Sequence, residues 1–182
     1  GPAAARTGPK AYKDVITAKA KSDTGAFTVH QVGDKWFYEI PRPMLGREFI
    51  VVSRIAQTAA GLGYGGGMNG TNVVRWVRNG DKIYLRQVSF STVADSTKPI
   101  AQAVRNSNFE PIIFGFDVQA YGKDSTTVID VTPLYTTDVT MLGLPSFMKT
   151  QYQIRRLDPA RTFMEGIRSF PKNIETRVVL TY

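Results

Sequence analysis

The chain has 182 residues, of which 42% are hydrophobic and 11% aromatic, and it carries a formal net charge of +8. This length predicts one domain with a sizeable core, and the composition excludes a disordered chain. With no cysteine, the chain cannot form a disulfide, a thiolate metal site or a thiol nucleophile. No segment approaches the roughly 20 consecutive apolar residues of a membrane-spanning helix, so we expect no membrane span.

The N-terminal residues are predicted to lie beside the main fold. We interpret Gly1-Pro2 as the remnant of a cleaved tag, and an authentic processed N-terminus is the alternative. The first ten residues are rich in Pro, Gly and Ala, and Ala11–Lys21 has moderate helix propensity. We therefore expect an arm and a short helix over residues 1–24, followed by a single β-rich domain over residues 25–182.

Strand and turn signals dominate the rest of the chain. Aromatic and β-branched runs on either side of Gly33-Asp34 and of Asn79-Gly80-Asp81 predict two hairpins. Pro41 and Pro43 end the first hairpin, and an extended, largely buried strand is predicted to begin at Glu48. Further strands are predicted over 72–77, 82–90, 111–122, 126–132, 160–170 and 174–182, helices over 98–106 and within 133–144, and a loop over 58–70. Because consecutive strands are tightly joined, we predict a β-rich α+β fold with mainly antiparallel sheets and one or two short helices.

The Gly-rich loop contains the pattern GxGxxG at Gly61–Gly66. A dinucleotide site needs this turn to open a helix, but Gly67–Gly70 and another strand follow here, so we interpret the match as coincidental. The loop remains a candidate for binding a neighbouring domain. The candidate interface residues are Tyr64, Gly65, Gly66 and Met68 in this loop, together with Tyr182 in the last strand.

His30 is the only histidine, so a three-histidine zinc site is excluded. We interpret it as a structural hydrogen-bonding side chain on the same strand face as Thr28 and Val32. Carboxylates near the Pro corner are expected to form ion pairs that fix it: Glu39 and Glu48 with Arg42, Arg47 and Arg54. Asp117 and Asp130 are expected to pair with strand arginines such as Arg75 or Arg86.

The positive charge raises the question of a polyanion partner. The basic residues are scattered, with only Arg155 and Arg156 adjacent, so the sequence disfavours nucleic-acid binding. The aromatic residues Trp36, Tyr38, Trp76 and Tyr84 are expected mainly in the core or in cross-strand pairs.

An ordered series of short motifs spans most of the chain from Phe27 onward. The motifs are FTVH (27–30), YEIP (38–41), LGRE (45–48), VVSRI (51–55), NVVRW (72–76), NSNFEPI (106–112), AYGKDSTTVIDVT (120–132), LDPARTF (157–163) and FPKNIETRVVLTY (170–182). This series resembles the non-catalytic domain of unknown function that precedes the met-zincin domain in bacterial secreted zinc-dependent metalloproteases. The resemblance implies a periplasmic or secreted location, with zinc expected only in the separate HExxH-containing catalytic domain.

The sequence therefore predicts a non-catalytic structural and interaction domain without a cofactor of its own. Its expected partner is the met-zincin domain of the same precursor, and a peptide substrate is a further candidate partner. Two alternatives stay open: an independent binding module for peptide, glycan or polyanion, and a hydrolase that uses two carboxylates.

Overall fold

The structure is a computed structural model that describes residues 8–59, 65–89 and 109–182. The strands of these residues are β1 (Lys21–Thr24), β2 (Thr28–Val32), β3 (Lys35–Ile40), β4 (Glu48–Arg54), β5 (Met68–Asn79), β6 (Lys82–Val88), β7 (Ile112–Tyr121), β8 (Thr127–Asp130), β9 (Phe163–Ser169) and β10 (Ile174–Val179). The α-helices are α1 (Tyr12–Val15), α2 (Thr132–Thr136) and α3 (Ser146–Gln151), with 3-10 turns at Arg42–Met44, Lys123–Ser125 and Pro159–Arg161.

Eight strands form one sheet in the order β1-β2-β3-β8-β7-β6-β5-β4, and β9 and β10 form a separate pair. Every pair of neighbouring strands is antiparallel. The predicted fold class, a β-rich and mainly antiparallel α+β fold, is confirmed. The first four strands in sequence occupy both ends of the sheet, three at one end and β4 at the other.

Two predicted hairpins have the expected turns. Gly33 connects β2 to β3 with φ of 60°, and Gly80 connects β5 to β6 with φ of 59°. Both positions lie in the left-handed region, which glycine enters without steric cost. The predicted strands after Pro43 and around the turn at 122–126 are also present, as β4, β7 and β8.

The large sheet curls, so that strands far apart in its order meet on the concave side. Tyr38 on β3 contacts Trp76 on β5 with ring centroids 6.1 Å apart, and Phe27 contacts Phe49 on β4 at 5.4 Å. The main core fills this concave side, and Ile167 of the β9–β10 hairpin packs into it. Most of the predicted core aromatics therefore lie where the sequence placed them.

A second, smaller core lies on the opposite face of β3. Phe37 is 5% exposed and packs with Val128 and Ala120 beneath Val15 of α1. This core explains why apolar residues fall on both faces of β3: Trp36, Tyr38 and Ile40 face the main core, and Phe37 faces α1.

The N-terminal segment differs from its prediction. The helix covers only Tyr12–Val15 of the predicted 11–21, and Lys21–Thr24 form β1 of the large sheet instead of belonging to an arm and helix outside it. Pairing with β2 satisfies the backbone of this segment, and that tertiary contact outweighs weak helix propensity. The described part of residues 1–24 therefore packs within the same fold as the rest. The helix predicted over 98–106 lies outside the described residues.

Candidate functional site

A polar network centred on His30 joins three strands and α1 at one end of the sheet. His30 is 4% exposed; its Nδ1 lies 2.7 Å from Ser22 Oγ on β1 and its Nε2 lies 2.8 Å from Glu39 Oε2 on β3. Tyr12 Oη of α1 donates to Glu39 Oε2 at 2.7 Å, and Thr126 Oγ1 donates to Glu39 Oε1 at 2.5 Å. Glu39 thus accepts hydrogen bonds from three different parts of the chain.

These contacts fix the charge of Glu39. The hydrogen bond from His30 is the main reason that the pKa of Glu39 falls from 4.5 to about 2, and the Thr126 and Tyr12 hydroxyls lower it further. Partial burial and the hydrogen bond to Glu39 raise the pKa of Tyr12 from 10.0 to about 12. Because the Glu39 carboxylate can only accept, the proton on His30 Nε2 points at it, and Nδ1 faces the hydroxyl of Ser22.

The resulting order of hydroxyl, imidazole and carboxylate is also that of a catalytic triad. A catalytic histidine must in addition reach the leaving group of a substrate. His30 is nearly fully buried, and the ring of Tyr12 packs edge-on against it at a centroid distance of 6.4 Å. This geometry favours the structural role predicted for His30. In that role, the hydrogen bonds of the network connect β1, β3 and α1.

The other end of the sheet carries an exposed apolar surface, which we call the β4–β5 face. It consists of the outward side chains Ile50 and Val52 of β4 and Met68 of β5, which are 72%, 48% and 64% exposed. Along β4 the residues alternate between exposed and half-buried, because Phe49 and Val51 turn inward to the core. Three large apolar side chains that are exposed on one hairpin indicate a candidate interface.

Of the predicted interface residues, Met68 belongs to the β4–β5 face, and Gly65 and Gly66 lie in the connection between β4 and β5. Gly66 donates its backbone N–H to Ile55 O at 2.6 Å and has φ of 91°. A Cβ on Gly65 would meet the backbone of Ala56. These glycines therefore allow the two chain segments to approach closely at this connection. Tyr64 lies outside the described residues.

Tyr182, the remaining candidate, lies apart from the β4–β5 face, and it follows the end of β10 instead of lying in the last strand as predicted. Its Oη accepts from Leu144 N and donates to Asp138 Oδ1, both at 3.2 Å, and Lys149 Nζ lies 5.6 Å from its ring centroid. Burial raises the pKa of Tyr182 above 10.0. The side chain thus holds the C-terminus against the loop before α3.

The ion pairs predicted at the Pro corner, and those predicted between strand arginines and Asp117 or Asp130, are wrong in their partners. Glu48 pairs with Arg75 of β5 at 2.7 Å, and Arg75 also pairs with Glu110 at 2.8 Å. Asp117 pairs with Lys82, and Asp130 pairs with Lys35. Register decides these partners: Glu48 lies directly opposite Arg75, and Lys82 lies directly opposite Asp117.

An open groove of about 780 Å³ lies between the β5–β7 strands and the loop that follows α2. Its lining combines amide side chains with an aromatic ring: Asn69, Asn72, Gln87 and Phe114. Asn69 Nδ2 donates to Gly143 O at 2.7 Å, while its buried Oδ1 has no hydrogen-bond partner among the described residues. Such a lining suits a ligand with several hydroxyl or amide groups.

Among residues 8–59, 65–89 and 109–182, no three His, Asp or Glu side chains gather into a possible metal site. No helix in the same residues has the length and apolar character needed to cross a membrane.

The fold and these surfaces define a β-rich domain built on one curled antiparallel sheet, with a buried polar network at one end and an exposed apolar hairpin at the other. The chain belongs to the family described as Domain of unknown function (DUF5117), whose model matches residues 66–182. Residues 9–58 match a second family, Domain of unknown function (DUF5118). No curated protein and no solved structure gives a significant match.

The two matched segments do not form two separate domains. Residues 9–58 contain β1–β4 and residues 66–182 contain β5–β10, yet β3 pairs with β8 and β4 pairs with β5. The two families therefore share one eight-stranded sheet, and the second also contains the separate β9–β10 pair.

Proposed function

We propose that this chain is a non-catalytic interaction domain of a secreted bacterial zinc-dependent metalloprotease, and that it docks on the met-zincin domain of the same precursor. The ordered motifs from Phe27 to Tyr182 support the choice of partner. One structural observation carries the proposal: the β4–β5 face exposes Ile50, Val52 and Met68 to solvent. Docking would remove this apolar surface from water.

The charges near the β4–β5 face determine how strongly the proposed docking should depend on salt. Near the β4–β5 face, Arg75 is already neutralised by Glu48 and Glu110. Contact through the apolar residues should therefore depend little on salt, whereas binding through the net charge of +8 would weaken as salt screens it.

Calorimetry of the 182-residue chain with the separately expressed catalytic domain, at low and high salt, tests the proposal. We expect binding that survives high salt and is weakened at least tenfold by Ile50→Lys or Met68→Lys. Phe163→Lys is the matched control, because Phe163 is 54% exposed on β9 in the separate sheet. The proposal fails if a folded catalytic domain does not bind, or if the control weakens binding as much as the two test variants.

The amide-lined groove favours a second candidate, an independent binding module for a peptide or glycan. This function predicts binding in the absence of the catalytic domain, with loss on Gln87→Ala and no loss on Ile50→Lys. A polyanion ligand would instead show binding that decreases steeply with salt. Titration with peptide and oligosaccharide libraries, followed by NMR, separates this candidate from docking.

A further inference from the structure

The two edges of the large sheet differ in how they are protected from pairing with another strand. β1 is four residues long and carries the charges of Lys21 and Asp23. β4 is seven residues long, has its two charged residues, Glu48 and Arg54, only at its ends, and exposes Ile50 and Val52 between them. Short charged strands are a common protection of sheet edges, and a long apolar edge strand invites strand addition. No described strand pairs with the outer edge of β4.

The sequence of β4, Glu-Phe-Ile-Val-Val-Ser-Arg, is complementary to itself when reversed. If two copies pair antiparallel about a twofold axis at Val51, Glu48 of each lies opposite Arg54 of the other. The same register sets Ile50 opposite Val52, so that apolar side chains meet between the ion pairs. Directly opposite residues of an antiparallel pair share one face of the sheet, and all four of these side chains are exposed on the outward face.

Other registers lose this complementarity. A slip by one residue would bring outward side chains opposite inward ones, because side chains alternate between faces. A slip by two residues centres the axis on Ile50 or Val52 and leaves Glu48 opposite an apolar or small residue. Only the register centred on Val51 pairs Glu48 with Arg54.

Both charged groups are accessible for such a contact. Glu48 is 46% exposed although it binds Arg75, and a carboxylate can accept from two arginines. Arg54 is exposed, and among the described residues no carboxylate pairs with it.

We propose that a second copy of this chain adds to the outer edge of β4, forming a symmetric dimer in which the sheet continues across the twofold axis. Isologous pairing of this kind uses the same residues from both copies. A single strand pair buries little surface compared with stable dimers, so the dimer is weak and concentration-dependent. It also joins the outward Ile50 and Val52 of both copies into one larger apolar surface.

Sedimentation equilibrium of the 182-residue chain alone, over a wide concentration range, tests the dimer without a catalytic domain. Its result is therefore independent of the docking proposed above. We expect a monomer–dimer equilibrium, and at least a tenfold weaker dimer for Glu48→Arg and for Arg54→Glu, because each places like charges opposite one another. The double variant restores the dimer, and an equimolar mixture of the two single variants forms a heterodimer.

Glu165→Arg makes the same charge change on β9 and should leave the dimer unchanged; thermal unfolding of every variant checks that it is folded. The proposal is overturned by a chain that stays monomeric at all concentrations. It is equally overturned by a dimer that neither single reversal weakens, or that the double reversal fails to restore, since another surface would then form it.

Discussion

The ring of Phe27, just before β2, meets the ring of Phe49 on β4 edge to face, with centroids 5.4 Å apart. The two strands are second and eighth in the order of the sheet. This contact therefore joins opposite ends of the sheet across the concave side, where Trp76 also packs against Phe27 at 6.1 Å. The curl of the sheet depends on aromatic side chains that lie between its ends.

Phe49→Ala should destabilise the protein by about 2–4 kcal/mol, because it removes a half-buried ring and leaves a cavity beside Phe27. Denaturant unfolding followed by tryptophan fluorescence measures the change, since Trp76 lies in the same cluster. Phe163→Ala, at a ring that is 54% exposed, should cost much less. Equal losses for both variants would show that the ring contact contributes little.

Glu39 should make the protein sensitive to acid. Its pKa is lowered from 4.5 to about 2 in the fold, so the stability it contributes is fully present above pH 4.5 and is lost as the pH falls towards 2. The full contribution is on the order of 3 kcal/mol. Glu39→Gln should therefore be less stable at pH 7 and show a shallower loss of stability over this acidic range.

Thermal or urea unfolding of both proteins at a series of pH values from neutral to 2 measures this difference. The other carboxylates titrate in both proteins, so the difference between the two curves isolates Glu39. Parallel curves would mean that the hydrogen bonds of Glu39 do not depend on its charge.

Gly122 is predicted to tolerate no side chain. A Cβ there would meet Oε1 of Glu39 and Oγ1 of Thr126, and would lie 3.0 Å from Cε2 of Tyr12. Gly122→Ala should therefore cost about 1–3 kcal/mol by forcing the polar network apart. At Gly166 on β9 a Cβ has no neighbour within 4 Å, so Gly166→Ala should be neutral or slightly stabilising. A Gly122→Ala protein as stable as the parent would contradict the close packing around Gly122.

Dividing the chain after residue 59 should abolish folding of both pieces. The first piece loses the partners of β3 and β4, and the second exposes the edges of β5 and β8. We expect each piece alone to show poor NMR dispersion, and the mixture of the two to recover the spectrum of the intact chain. Cooperative unfolding of either piece by itself would show that the corresponding family segment is a domain of its own.

The sequence predicted most elements of the fold, because turn residues and β-branched runs act locally. Gly33 and Gly80 mark turns whose backbone only glycine adopts easily, and the strands on either side follow. These local signals do not predict which strands, distant in sequence, pair with each other. Nothing in the residues of β4 indicates that it lies at the sheet edge opposite β1–β3, because that position depends on contacts with β5 far along the chain.

The same limit explains the errors in the candidate site. Glu39 was expected to pair with a nearby arginine, but the hairpin turns it towards His30 and the register brings Thr126 beside it. Met68 was named as a candidate interface residue because of its place in a Gly-rich loop; it is 64% exposed, but it begins β5 instead of lying in a loop. Ile50 and Val52 were predicted as part of a largely buried strand, and only the sheet order reveals their exposure.

The two family segments share the strand pairs β3–β8 and β4–β5, which restricts where their gene can be divided. A recombination breakpoint between residues 58 and 66 would pass between the two matched families, yet it would separate β4 from β5 and β3 from β8. Neither product would keep the strand partners that complete its part of the sheet. We therefore expect these two segments to be inherited together, in this order, wherever the fold occurs.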